Sequence, residues 1–264
     1  MSKRYLILLV VAIAFNSCNQ ILNKTSAANS LTWKDENIVV KEIGCEELSC
    51  ALADFRYVIF SGLGADSLNK QVNELMGSSF MDDSLIVSNP KTSAEKFIAA
   101  FEANKKDFPE DSARWMLDRE IRPDSLFENV ITLRYDESSF SGGAHGMYFT
   151  IFNHFQLSPF KTLWLADFLN NPEDTILVTA LAEAIFRDKQ ELGSDERLEE
   201  AGYFFAKGVF KLNENFHFTE QGLAFHFNIY EIQPYASGEY KLLVPYDKIE
   251  RFLKPSIFKI AAKS

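Results

Sequence analysis

The sequence predicts an α+β fold, an antiparallel sheet with helices packed on it in two subdomains. Three observations carry that prediction. Strings with period-two apolar alternation stand beside segments of helical periodicity, one hairpin can be written out pair by pair, and two helix starts are spelled by capping residues. Strands and helices in this order, with hairpins, argue against a parallel βαβ arrangement.

The elements follow in chain order. Val39 to Ile43 and Phe55 to Phe60 read as strands. Leu68, Val72, Leu75 and Met76 fall at i, i+4, i+7 and i+8, one face of a helix. Thr92-Ser93-Ala94-Glu95 is a capping box ahead of Phe97, Ile98 and Phe101, so a second helix is expected to begin there. Ile131, Leu133 and Tyr135 alternate with Thr132 and Arg134. A long strand then places Met147, Phe149, Ile151, Phe155 and Leu157 on one face and Tyr148, Thr150, Phe152 and His154 on the other. Asn171-Pro172-Glu173-Asp174 offers a cap, a proline in the first turn and acids facing the helix dipole. The helix it opens is expected to bury Leu177, Val178, Leu181, Ala184 and Ile185. Thr219 to Gly222 reads as a turn with Gly222 in a left-handed bulge, pairing Phe218 with Leu223 and Phe216 with Phe225. Tyr240 to Val244 is the last strand, and a short helix follows Pro245.

The first residues set the address. Lys3 and Arg4 precede an apolar run from Tyr5 to Phe15, too short to span a bilayer, and small residues then lead to Cys18. Residues 1–17 thus read as a signal peptide ending at a cysteine, the layout of a bacterial lipoprotein whose acylated thiol holds the chain at a membrane. Phe15-Asn16-Ser17-Cys18 departs from the common Leu-Ala-Gly-Cys box. A plain cleaved signal with an incidental cysteine, or an uncleaved anchor, stays open. The expected location is the bacterial cell envelope, on a periplasmic or surface face. Residues 18–35 are expected to be a polar tether, residues 36–158 and 159–255 the two subdomains, and 256–264 a tail.

Charge and cysteines bound the partners. Residues 1–17 hold two bases and no acid, which leaves 25 bases against 37 acids and a formal charge of −12. Such a chain repels nucleic acid and favours a basic partner wherever its acids cluster. With Cys18 lipidated, Cys45 and Cys50 remain, and an even pair outside the cytoplasm reads as a disulfide closing a small loop, with free thiols as the alternative.

Catalytic motifs are missing: the sequence holds no H-E-x-x-H, no G-x-S-x-G and no Walker loop. No cofactor or metal is expected. His217 and His226 sit diagonally in the hairpin register, but zinc needs a third protein ligand that the sequence does not name, so they read as half-exposed strand histidines. Two dense strings are the candidate binding segments. Ser141-Gly142-Gly143-Ala144-His145-Gly146 is either a tight strand connection with His145 bonding the turn or a ligand loop. Residues 228–240, with Tyr230, Tyr235, Glu239 and Tyr240 among them, form either a tyrosine recognition surface or a loop packed on the sheet.

With Ser-Gly-Gly-Ala-His-Gly (141–146), Asn-Pro-Glu-Asp and its helix (171–186), Phe-Thr-Glu-Gln-Gly-Leu-Ala-Phe-His-Phe-Asn-Ile-Tyr-Glu-Ile (218–232), Pro-Tyr-Ala-Ser-Gly-Glu (234–239) and Val-Pro-Tyr (244–246) in order, the chain resembles the RsiV-like extracytoplasmic domain family. Its upstream half is similar to the non-catalytic region of the peptidoglycan deacetylase PdaC. The resemblance covers roughly residues 36–255 and is strongest over 127–250. It implies an envelope module without catalysis of its own, because the chemistry of PdaC-like proteins belongs to a separate domain whose H-x-x-x-H pair is absent here. RsiV itself binds lysozyme, and a lipid-type anchor replaces its transmembrane and sigma-binding segments in this chain. The expected role is a binding module for a lysozyme-like hydrolase or peptidoglycan. An enzyme acting on wall glycan or peptide, or a structural surface antigen, are the competing classes.

Overall fold

The computed structural model describes residues 31–44, 50–78, 89–110 and 113–255. Cys18, residues 18–30 of the expected tether, Cys45 and the tail from residue 256 lie outside them. The chain is a mixed α+β structure with a six-stranded and a three-stranded sheet.

The larger sheet runs in chain order: β1 (Thr32–Lys41), β2 (Leu52–Ser61), β3 (Met116–Phe127), β4 (Val130–Phe140), β5 (Met147–Leu157) and β6 (Phe160–Leu163). Its neighbours are antiparallel except β2 and β3, which pair in parallel, Leu52 opposite Met116 through Arg56 opposite Glu120. A parallel pair needs a long crossover, and two helices supply it: α1 (Ala65–Met76) and α2 (Pro90–Asp107). Strand β1 starts earlier than expected, so residues 32–35 belong to the sheet and not to a tether. Trp33 packs edge-on to Phe60 at 6.0 Å, which draws this polar stretch onto the sheet. Ile43, at the other end, lies exposed in a turn.

Helix α1 buries Leu68, Val72 and Met76 as its periodicity predicts. Helix α2 begins sooner than its capping box suggested. Asn89 is the cap, its Oδ1 accepting from the Thr92 N–H at 2.9 Å with Pro90 in the first turn, so Thr92 supplies a donor rather than capping. Arg119 fastens both helices to the sheet from a position only 1% exposed. Its Nε donates to Glu137 at 2.7 Å, and its Nη1 donates to the carbonyls of Met76 and Ser78 and to Ser93 Oγ at 2.9–3.0 Å. A buried guanidinium is tolerated because these acceptors replace its lost water.

The second half contains α3 (Leu165–Phe168), α4 (Thr175–Lys189), β7 (Phe216–Phe218), β8 (Gly222–Phe227), β9 (Tyr240–Pro245) and α5 (Tyr246–Ile249). Strands β7, β8 and β9 make an antiparallel meander in which Phe216 faces Phe225 and Phe218 faces Leu223, the register read from the hairpin. Gly222 is not left-handed; it is required because a Cβ there would lie 2.1 Å from the Val244 carbonyl oxygen. A short 3-10 turn at Pro172–Asp174 leads into α4 without a side-chain cap from Asn171. The buried face of α4 is Val178, Ala182 and Phe186, which turns Leu177 to the flank, 51% exposed. The apolar interior falls into two clusters, one from Leu31 to Leu157 and one from Leu163 to Leu253, with β6 continuing the first sheet past residue 158.

The two sheets are joined through asparagine side chains. The first half of β5 has no neighbour strand beyond β4, which leaves main-chain groups on an edge. Asn228 covers them by accepting from the Thr150 N–H at 2.8 Å and donating to the Thr150 carbonyl at 3.0 Å. Asn215 accepts from the Phe152 N–H at 2.9 Å and donates to the carbonyls of Thr150 and His226 at 2.7 and 2.9 Å. A primary amide carries one acceptor and two donors, so it can stand in for a missing strand. On α1, Asn69 does the same for both main-chain groups of Phe60. The second face of β5 is consequently buried too, with Phe152 stacked on His217 at 4.2 Å and His154 tilted against Phe216 at 4.4 Å.

Candidate functional site

The β4–β5 connection and the β8–β9 connection are far apart in sequence and meet in space. Gly142 and Gly143 take φ of 93° and 92°, a conformation that disfavours a side chain, and this double turn presents His145 outward at the mouth of β5. The connection is therefore a strand-to-strand turn, and His145 does bond it: Nδ1 donates to the Gly146 carbonyl at 3.1 Å. That leaves Nε2 as an acceptor, and the Tyr230 hydroxyl donates to it at 3.2 Å. The Tyr235 ring stacks on the imidazole at 3.7 Å and 17°. Tyr230 lies 5.6 Å from Tyr235, and Tyr148 meets Tyr235 edge-on at 6.4 Å.

Each tyrosine is placed by its backbone. Tyr230 adopts φ of 65°, an uncommon conformation for a bulky residue. It is held there between buried Ile229 and Ile232 and by a turn in which the Glu231 N–H donates to the Asn228 carbonyl at 3.1 Å. Glu231 in turn accepts from the Asn228 N–H at 2.8 Å and from Asn213 Nδ2 at 2.7 Å. Tyr235 opens the 3-10 turn Tyr235–Ser237, which Gln233 Nε2 braces by donating to the carbonyls of Ser237 and Gly238 at 3.2 Å each.

The other candidates sit elsewhere. Tyr240 packs at 5.3 Å from Phe186 in the second core, and its hydroxyl accepts from Gln190 at 3.2 Å, so it supports the fold. Glu239 accepts from His226 Nε2 at 2.5 Å and from Lys241 at 2.8 Å. Burial raises the Glu239 carboxyl, and these hydrogen bonds outweigh it, leaving the net direction downward. Gly146 is needed for close approach, since a Cβ would lie 2.8 Å from the Ser139 carbonyl oxygen. Cys50 is disulfide-bonded, while Cys45 lies outside the described residues. Tyr148 completes the ring cluster and was not singled out from sequence. Its position next to the glycine turn, on the face of β5 opposite Phe149, was the available signal.

His217 and His226 are more enclosed than half-exposed strand residues. Burial pushes His217 down to about 4, helped by the nearby His226, Arg134 and Lys241, and burial also lowers His226. His154 is buried and pushed down to about 3, with Nε2 donating to the Phe216 carbonyl at 3.0 Å and Nδ1 accepting from Thr132 Oγ1 at 2.9 Å. These three neutral histidines lie where the sheets join. Among the described residues no group of three or more His, Cys, Asp or Glu is placed to hold a metal ion. The tip cluster thus offers ring faces, phenol hydroxyls and an imidazole in contact with solvent, an arrangement that stacks and hydrogen-bonds a ligand.

Comparison with known proteins agrees with this architecture. Residues 166–247 match the sequence model of a family described as a protein of unknown function, DUF3298. A DUF3298 family member from Bacteroides fragilis NCTC 9343 has a similar solved structure, with a TM-score of 0.68 and 20% identity over 90% of this chain and 99% of that one. A DUF3298 family protein from Pseudomonas aeruginosa PAO1 is similar with a TM-score of 0.61 and 20% identity, over 88% of this chain and 98% of that one. No curated protein matches the sequence. Over residues 166–247, then, this chain is similar to the DUF3298 family, within a fold it shares with solved DUF3298 proteins.

Proposed function

We propose that the protein is a non-catalytic binding module, anchored through lipidated Cys18 at a membrane of the bacterial envelope, whose ligand is a lysozyme-like hydrolase or peptidoglycan. The observation that carries the reading is the convergence of His145, Tyr148, Tyr230 and Tyr235 from two separate loops on one exposed surface. Tyrosine suits recognition because it brings a large amphipathic ring at low entropic cost. Among the described residues no carboxylate is bonded to the imidazole; its partners are a main-chain carbonyl and a phenol, which orient a ring rather than drive proton transfer. An acidic chain facing a basic hydrolase and the resemblance to RsiV-like domains support the choice of partner.

Calorimetric titration of the full chain with a c-type lysozyme and with solubilised wall fragments, each at two salt concentrations, tests it. Saturable binding that persists at the higher salt is expected for one of them. Heat that vanishes with salt for both would refute the reading, because exposed charge alone would then account for the contact.

A further inference from the structure

The tip cluster supports a narrower statement, which rests on the binding reading above for the site and adds the chemistry of the ligand. Tyr235 is the centre of the cluster, one face covered by His145 at 3.7 Å. The ring surface left to solvent belongs to its neighbours: Tyr230 is 47% and Tyr148 39% exposed, and His145 is exposed beside them. Tyr230 reaches this position from a left-handed backbone that glycine would adopt freely, so the fold retains strain to keep that ring outward. The charge around it has been put to other use. None of His145, Tyr148, Tyr230 and Tyr235 takes part in an ion pair among the described residues. The nearby Glu231 is held by Asn213 and Asn228, and Glu239 by His226 and Lys241. The ring surface is therefore aromatic and hydroxylated, bordered by the Glu231 carboxylate, on a strongly acidic chain.

A ligand that fits has a flat apolar face, a polar rim and no negative charge, which the acidic chain would repel. A pyranose ring has that form: its axial C–H groups make an apolar face, and its hydroxyls radiate from the edge. A stable protein partner needs roughly 800 Å² on each side, far more than four rings present, whereas one or two sugars match their size. We propose that Tyr230 and Tyr148 stack successive residues of a neutral glycan chain, with Tyr235 and His145 as the rigid backing and the phenol hydroxyls bonding the sugar rim.

The test is titration of the full chain, in a detergent without sugar headgroups, with two oligosaccharides: tetra-N-acetylchitotetraose and cellotetraose. Saturable binding with a Kd near or below about 1 mM is expected. Preference for the first identifies an amino-sugar glycan of wall type, and equal binding identifies a plain glucan-like face. Tyr230→Gly is expected to weaken it at least about tenfold while leaving Tm equal or higher, because glycine accepts the left-handed backbone. Tyr148→Ala provides the same loss should Tyr230→Gly fail to fold. Binding of neither sugar, or binding that both variants retain, overturns the inference. If lysozyme or wall fragments still bind in that case and Tyr230→Gly weakens that binding, the binding-module reading survives and only its sugar chemistry falls.

Discussion

His154 and His145 belong to one stretch of chain, the first inside β5 and the second just before it. Both have two engaged ring nitrogens and an aromatic partner: Thr132, Phe216 carbonyl and the Phe216 ring for His154, and Gly146 carbonyl, Tyr230 and the Tyr235 ring for His145. Water separates their roles. Around His154 every bond replaces solvent that cannot return, so losing one strands a buried group. Around His145 each bond competes with solvent, and the same kind of contacts fixes a shape without holding the fold together. The joint between the sheets is accordingly where stability should reside, and the tip where recognition should.

The contrast can be broken by mutation, most severely at Asn215. Asn215→Ala takes the partner from Phe152 N–H and removes one of the two side-chain donors to each of the Thr150 and His226 carbonyls, which keep Asn228 and Asn213. With the one orphaned group costing roughly 1–3 kcal/mol and each of the two other lost hydrogen bonds roughly 0.5–1.5 kcal/mol, urea unfolding should show a loss of about 4 kcal/mol; a loss below about 1 kcal/mol would remove the joint from its assigned role. Acid should act next. The folded His154 takes its proton only near pH 3, whereas the unfolded imidazole takes it at 6.5. The stability linked to it is fully present above pH 6.5 and is lost as pH falls from there towards 3, about 3 kcal/mol over the first two pH units. His217 pulls in the same direction. Denaturation curves recorded at several pH values should show this slope, and His154→Gln should flatten it.

At the tip the expected changes in stability are smaller. Gly142→Ala meets no close atoms, its nearest neighbour being 3.8 Å away, so only the positive φ resists it. About 1–2 kcal/mol is expected from the left-handed backbone, visible as a modest fall in Tm. Tyr235→Ala and His145→Ala should change unfolding free energy by less than about 1 kcal/mol and still weaken ligand binding about tenfold or more in calorimetry. Unfolding of either variant would make the tip a structural element like the joint.

Much of the fold was legible because its signals are local. The pairing of Phe216 with Phe225 follows from alternation across a four-residue turn, and α1 follows from the spacing of Leu68, Val72 and Met76. What was hidden depends on distant partners. Trp33 joins the sheet only because Phe60 is there to receive it, and Gly222 is a glycine because of Val244, a residue on another strand. The binding candidates divided in the same way. The glycine and tyrosine strings could each be noticed alone, but their meeting through His145 and Tyr230 spans 85 residues. Tyr240 carried the same sequence signal as Tyr235 and turned inward, because a neighbouring Phe186 offered it a core.

The asparagines on β5 carry a further consequence, for association rather than folding. An unpaired strand edge is a template on which another chain can add by main-chain pairing. Asn215 and Asn228 occupy that edge with groups from the second sheet, so the three-stranded unit is also the guard of the six-stranded one. Anything that lifts it away, whether acid, a cut in residues 190–215 or loss of either amide, uncovers Thr150 and Phe152 together with the apolar face behind them. Such a chain should self-associate through β5 before it unfolds, so turbidity would rise ahead of the loss of secondary structure.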